Sequence, residues 1–186
     1  IVFTVMIKKN KNSNKKQTVL DLPVWNLADL YPSIKSKKIN KDLSFIKNTS
    51  KTFEKKYEGK ISKLSAENLL KAIKELEKID ETMDKILSFA HLLVAENADH
   101  EKNKIFFQSM QEEITKYSSL LIFFTLELNQ ISANQLLILL KNSRLRQYKT
   151  WIENRRTFKP YQLEKKLEKL MQDKSITSSG AWVRLF

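Results

Sequence analysis

The sequence predicts an all-α fold, an antiparallel bundle of long helices. Apolar residues recur at intervals of three and four over most of residues 39–128, the spacing of one helix face. No stretch alternates with period two, as a half-buried strand would. Only Gly59 and Gly180 occur in 186 residues, where average usage gives about 13, so glycine-bounded hairpins are missing as well. The length suits one domain, or one domain and a tail.

Ile1 to Ile7 is mostly apolar, and Lys8, Lys9, Lys11, Lys15 and Lys16 follow it. A secretory signal has the opposite order, with its cations first. Residues 1–21 are therefore expected to be a disordered basic tail, Met6 is the expected true start, and the protein is expected to be cytoplasmic. The longest apolar run, Leu120 to Leu126, is interrupted by Thr125 and falls far short of the ~18 residues that would span a bilayer. Residues 22–186 form the expected helical region. In Leu22 to Ser33, Pro23 and Pro32 bias their predecessors to extended geometry, leaving room for one helical turn at most.

Ile39, Leu43, Ile46, Phe53 and Tyr57 define the first helix, and Gly59 stands where a left-handed residue would end it. Ser65 is a good N-cap for the second, with Leu64 and Leu69 at the spacing of a hydrophobic staple. Leu69, Ile73, Leu76, Met83, Leu87, Ala90 and Val94 continue that helix to a break at Asn97 to Asp99, with Asp99 expected as the next N-cap. A third helix is expected to run from Ile105 through Phe106, Met110, Ile114, Tyr117, Leu121 and Phe124 to Leu128. Its end, residues 120–128, is apolar on all sides and should be buried from several directions. Ser132 and Gln135 have capping-box spacing, and Ile131 with Leu136 has staple spacing. Helices over 133–142, from Arg144 through Arg155, and from Gln162 to Asp173 complete the bundle, with Pro160 between the last two.

Composition excludes much chemistry. There is no cysteine, hence no disulfide, iron–sulfur cluster, zinc ribbon or thiol nucleophile. Two glycines so far apart cannot build a phosphate-cradling loop. The net charge of +13 is uneven: residues 1–65 carry +10, residues 66–135 carry −5, and the remainder carries +8. Clustered cations suit a polyanion, but Lys outnumbers Arg by 29 to 5 and Arg is the better phosphate fork. Nucleic acid is an unlikely partner on this composition, and a solvated Lys-rich surface is the better reading.

Possible catalytic residues each have a plain structural explanation. His100-Glu101-Lys102-Asn103-Lys104 approaches the zincin pattern, in which two imidazoles one turn apart hold zinc and the Glu activates its water. Lys104 replaces the second His and cannot ligate. His91 has no orienting partner in the sequence, and reads as a residue at the bundle edge. Glu112 with Glu113, and Glu75 with Glu77, read as solvated helix faces because neighbouring positions diverge by about 100° or more. Phe106, Phe107, Phe123 and Phe124 read as core rather than as a stacking platform. No catalytic, cofactor-binding or metal-binding residue is expected in this chain.

Several motifs in one order are more specific. Trp25-Asn-Leu-Ala-Asp-Leu-Tyr-Pro-Ser33 resembles the opening segment of the oligoendopeptidase F family, bacterial zinc metallopeptidases related to thimet oligopeptidase. Phe53-Glu-Lys-Lys-Tyr-Glu-Gly-Lys60 resembles the end of that family's first helix, and Leu121-Ile-Phe-Phe-Thr-Leu-Glu-Leu-Asn129 its third-helix motif. Tyr148 to Phe158, then Leu163, Glu168, Lys174 and Gly180-Ala-Trp-Val-Arg-Leu-Phe186, are similar to later parts of the pattern. Tyr161 departs from it, standing where many relatives have His. The resemblance covers about residues 22–186.

The resemblance implies an N-terminal helical lobe that helps wall a deep channel for unfolded oligopeptides. It implies zinc in a separate C-terminal domain, held by His-Glu-x-x-His and a further Glu, where the metal activates a water for attack on a peptide carbonyl. That catalytic domain is expected to be absent here, whether the gene is split or the chain is a fragment, so the chain alone is expected to be inactive. Its expected partners are the missing or separately encoded catalytic domain and the parent enzyme's oligopeptide substrates, with no membrane. A stand-alone interaction module that grips a separately encoded catalytic half is the alternative; a basic nucleic-acid-associated protein comes third. A lobe built to dock should expose apolar residues, expected at 117–128 and at Trp182 to Phe186.

Overall fold

The computed structural model describes residues 26–175 and 177–185. The expected basic tail, Met6 and Phe186 lie outside the described residues. Among the described residues there is helix and no strand.

The lead-in makes the single turn expected of it, a 3-10 turn over Leu27–Asp29 capped by Asn26, whose Oδ1 accepts from the Ala28 N–H at 3.0 Å. The first long helix, α1, spans Lys37–Tyr57. Its buried residues Ile39, Ile46, Ser50, Phe53 and Tyr57 follow the predicted stripe. Gly59 has φ of 76°, the left-handed conformation that glycine adopts without a Cβ clash, and the chain turns there. A 3-10 turn over Ile61–Lys63 leads to α2, Ala66–Glu96. Ser65 caps α2 as predicted, its hydroxyl accepting from the Asn68 N–H at 3.4 Å.

Helix α2 is the spine of the molecule. Leu70, Ile79, Ile86 and Phe89 are buried beside the predicted seam, because α1 packs on one flank and α3 on the other. Each fully buried aliphatic or phenyl side chain contributes roughly 1.5–3 kcal/mol relative to exposure, so this helix is held by packing far more than by propensity. Tyr31 crosses its C-terminal half: the ring meets Phe89 edge-on at 5.3 Å and the hydroxyl donates to Asp42 Oδ2 at 2.7 Å.

The third helix departs from expectation at both ends. It begins one residue later, with His100 at the N-cap position and no side-chain capping bond; Asp99 is not the cap. It also breaks, giving α3, Glu101–Ser118, and α4, Ile122–Gln130. Part of the cause of the break is local. Ser118 donates its hydroxyl to the Thr115 carbonyl, and the Leu120 and Leu121 N–H groups bond three residues back. Such serine back-bonding competes with the four-residue ladder and bends the chain.

Residues 120–128 are buried from several directions, as predicted, with Leu121, Phe123, Phe124, Leu126 and Leu128 in the core. That same burial overturns the expectation that 117–128 offers an exposed apolar patch.

The remaining helices are short. Ser132 caps α5, Ala133–Leu139, accepting from the Gln135 N–H at 3.2 Å. The reciprocal half of the capping box is not made, because the Gln135 amide reaches across to the Ser62 carbonyl at 2.8 Å and ties α5 to the α1–α2 turn. The helix expected from Arg144 through Arg155 is two pieces, α6, Ser143–Arg146, and α7, Lys149–Arg156. Tyr148 stands at the joint, and its hydroxyl donates to Glu77 Oε2 on α2 at 2.9 Å. Pro160 lies in a 3-10 turn, Lys159–Tyr161, followed by α8, Lys165–Ser175, and α9, Ser179–Leu185. The helix expected to start at Gln162 starts three residues later, with Gln162 itself extended and 163–164 outside any helix.

Candidate functional site

The most developed concave feature is a groove of about 690 Å³ between α4, α7 and the start of α8. Two buried polar groups on α4 build its surroundings. Glu127 is buried, and its carboxylate accepts the Gly59 N–H at 2.6 Å on Oε1 and the Ile61 N–H at 3.0 Å on Oε2. A single side chain thus clasps the α1–α2 turn to α4. Arg156 closes the C-terminal end of α4, from one residue beyond Glu127. Its guanidinium fork donates to the Leu128 carbonyl at 2.7 Å and the Ile131 carbonyl at 2.8 Å, satisfying groups that a helix C-terminus leaves open and placing a cation at the negative end of its dipole.

Asn129, also on α4, is 3 % exposed and lines the groove. Its Nδ2 donates to Gln162 Oε1 at 2.7 Å, while its Oδ1 has no hydrogen-bond partner. Ile122 and Leu126 supply apolar surface, and Trp151, Phe158 and Tyr161 supply aromatic surface. Phe158 and Tyr161 are 71 % and 79 % exposed. The Arg155 guanidinium lies 4.5 Å from the Trp151 ring, donates to Thr125 Oγ1 at 3.2 Å, and stands 3.8 Å from Asp80 on α2.

Burial pushes the Asp80 carboxyl up to about 6, against the pull of the Arg155 guanidinium and with a push from Asp84. The neutral acid is thereby favoured in the folded state, so the group's contribution to stability is full below its ordinary pKa of 3.8 and is lost as pH rises through about 6. Asp80→Asn is expected to match the wild type below pH ~4 and to exceed it above pH ~6, by about 1 kcal/mol or less because the side chain is partly open to water. Thermal melts of both proteins across this range check it; a gap that does not change with pH would refute it.

The residues weighed from the sequence do not gather into a reacting centre. His91 is exposed on α2, its ring 5.7 Å from that of Phe107. His100 is exposed at the start of α3, with Glu101 and Lys104 also exposed beside it. Glu75 accepts from Lys56 at 2.6 Å and from the Tyr57 hydroxyl at 3.1 Å, whereas Glu77 faces Tyr148, so this pair diverges toward α1 and α7. Glu112 accepts from Gln108 at 3.0 Å along α3, and Glu113 lies near Tyr117, whose hydroxyl is raised by burial and by that carboxylate. Phe123 and Phe124 are core, and Phe106 and Phe107 are partly buried against it.

Among the described residues, no three His, Asp or Glu side chains are placed to hold a metal ion. No helix among the described residues is long and apolar enough to cross a membrane.

Of the apolar surface expected at Trp182 to Phe186, the described part is exposed, and other exposed apolar residues join it. Trp182 is 64 % exposed and Val183 is open as well, and Leu163, Leu167, Leu170 and Met171 on and before α8 join Phe158 and Tyr161 as exposed apolar residues. Glu127, Asn129, Arg155 and Arg156 were not singled out by sequence reasoning. The one signal available was Glu127 itself, an acid inside an apolar run that would be expensive to bury without partners.

Comparison with known proteins agrees with the position of these features. Residues 127–186 match a family model described as Oligopeptidase F. The motifs at Trp25 to Ser33 and Phe53 to Lys60 lie outside that stretch. Neither the curated proteins nor the solved structures gave a match. Over residues 127–186, this all-α chain is similar to the N-terminal region of an oligoendopeptidase F-like peptidase.

Proposed function

We propose that this chain is the N-terminal helical lobe of a cytoplasmic, oligopeptide-cleaving zinc metallopeptidase of the oligoendopeptidase F kind. In this reading the lobe contributes no catalytic residue. Hydrolysis belongs to a catalytic domain, continuous with the chain or separately encoded, that holds zinc through His-Glu-x-x-His and a further Glu.

One observation carries the proposal. The stretch matching Oligopeptidase F, 127–186, is also the stretch whose helices α7 to α9 leave Phe158, Leu167, Leu170, Met171 and Trp182 facing outward. A contiguous apolar surface marks a place where another protein surface packs. The lobe reading supplies that surface from the rest of the enzyme.

The coding DNA beyond the codon for Phe186 tests this first. A His-Glu-x-x-His motif in frame, or after a stop or frameshift, is the expected result, and its absence from the neighbouring sequence would overturn the reading. The second arm is biochemical. The 186-residue chain alone should leave a quenched fluorescent oligopeptide intact, and adding the downstream product should give cleavage that a chelator abolishes.

A further inference from the structure

Two lysines from different helices converge on one buried ring. Tyr31 is 1 % exposed, fixed by Phe89 and by its hydroxyl bond to Asp42. The Lys85 ammonium on α2 lies 5.0 Å from the ring centroid, and the Lys38 ammonium on α1 lies 5.8 Å from it. The two amines are within hydrogen-bonding reach of each other. An aromatic ring attracts one cation, but a second beside it is repelled by the first. An ammonium has donors only, so a hydrogen bond between the two needs one of them neutral, with its lone pair accepting.

The surroundings offset this repulsion only in part. Asp42 accepts the Tyr31 hydroxyl, and Glu81, one turn before Lys85 on α2, is exposed. Among the described residues neither makes an ion pair with Lys85. The first turn of α1, where Lys38 stands, holds no acid, so the positive end of that helix adds to the Lys38 charge. Burial first, then the hydrogen bond and charge of Lys38, hold the Lys85 amine below the usual lysine range, against a pull from Asp42 and Glu81.

The two lysines are not equivalent. Lys85 is partly buried and Lys38 is exposed, and desolvation disfavours the charged form, so Lys38 keeps its proton and Lys85 gives one up. An apolar flank with a neighbouring cation is the setting that makes a lysine nucleophilic. The same cation selects the reagent. An anionic leaving group suits Lys38, whose ammonium can turn from Lys85 to a phosphate oxygen as the amine attacks.

We propose that Lys85 is an acylation site, activated by Lys38 over the Tyr31 ring, whose reagent is a small acyl phosphate. The neutral Nζ attacks the acyl carbon and a C–N bond forms. The C–O bond to the phosphate breaks, inorganic phosphate leaves with the electron pair, and Nζ releases a proton to water. The product amide carries no charge, so acylation removes the repulsion between the two lysines and leaves the ring to Lys38. The site lies on α1, α2 and the lead-in, and it stands whether or not a catalytic domain completes the protein.

The test is timed acetylation of the 186-residue chain by acetyl phosphate near pH ~8, read by peptide mass mapping. Lys85 is expected to react about threefold or more faster than the median of the other lysines. Its rate should also level off at lower pH than theirs. Lys38→Met should bring Lys85 down to the median and move its pH profile up. Lys38→Arg keeps the cation and should keep both the rate and the profile. Both variants change an exposed side chain and should retain the wild-type melting temperature.

A rate at Lys85 no higher than the median would overturn the proposal, as would faster reaction at Lys38 than at Lys85. An unchanged Lys85 rate in Lys38→Met would remove the activating pair, and equal loss in Lys38→Arg would show that charge is not what activates. None of these readouts involves peptide hydrolysis, so their failure leaves the lobe reading to the downstream codons.

Discussion

Glu127→Ala is expected to cost about 3–5 kcal/mol of folding stability, enough to threaten a domain whose total is about 5–15 kcal/mol. The carboxylate accepts two backbone N–H groups at the α1–α2 turn, Gly59 and Ile61. Bonds to a charged acceptor contribute about 1.5–3 kcal/mol each, and Ile61 is itself fully buried, so water cannot readily replace the lost acceptor. For a chain of this length the melting temperature should fall by roughly 6–15 °C.

Glu127→Gln keeps one acceptor but turns an NH₂ toward the second N–H, and should recover less than half of the loss. Denaturant unfolding gives the magnitude. Amide hydrogen exchange supplies the diagnostic, because protection should drop first at Gly59 and Ile61. A uniform loss of protection across α1 to α4 would mean that Glu127 stabilises the fold without acting through this turn.

Phe124→Ala should be of similar size, about 3–5 kcal/mol, for a different reason. Phe124 is fully buried, with its ring centroid 5.9 Å from Phe53 on α1 and 6.3 Å from Trp151 on α7. It is the residue through which the short C-terminal helices reach the main bundle's aromatic core. Truncation leaves a cavity bordered by rings that cannot collapse far, so the cavity term adds to the lost transfer energy. Phe124→Leu, which keeps most of the volume, should cost about 1.5 kcal/mol or less. Equal losses for the two variants in chemical denaturation would contradict the cavity argument.

Local signals in the chain were read correctly where they sufficed to decide the structure. Ser65 and Ser132 cap their helices, and Gly59 takes the left-handed turn. Leu69, Ile73, Leu76, Met83 and Ala90 of the α2 seam are buried as the spacing requires, while Leu87 and Val94 are partly buried. The failures came where distant partners decided the outcome. Apolar spacing runs unbroken through Ser119, so α3 and α4 read as one helix. The joint is fixed by the Ser118 back-bond and by Asp173, whose carboxylate on α8 accepts from Ser119 Oγ at 2.5 Å from 54 residues away. Tyr148 likewise interrupts an apparent helix while bonded to Glu77, 71 residues earlier.

The groove was hidden for the same reason. Asn129 and Gln162 are 33 residues apart, and nothing in either neighbourhood indicates that they meet. Glu127 stands out as an acid in an apolar run, but the sequence does not show what it meets. Its partners are backbone amides, which leave no trace in residue identity.

The outward-facing character of the C-terminal helices has a consequence for how the molecule comes apart. Neither the 3-10 turn at Lys159–Tyr161 nor α8 contains a buried residue, and Ile152 is the only buried residue of α7. Regions with little buried apolar area open at free energies well below that of global unfolding. Helix α8 is therefore expected to open as a weakly held unit, held to the bundle mainly by the Asp173–Ser119 and Gln172–Ser118 bonds, while α1 to α4 stay folded. A surface that packs over it would raise the protection of that unit alone, so docking and the closing of this sub-global opening are one equilibrium.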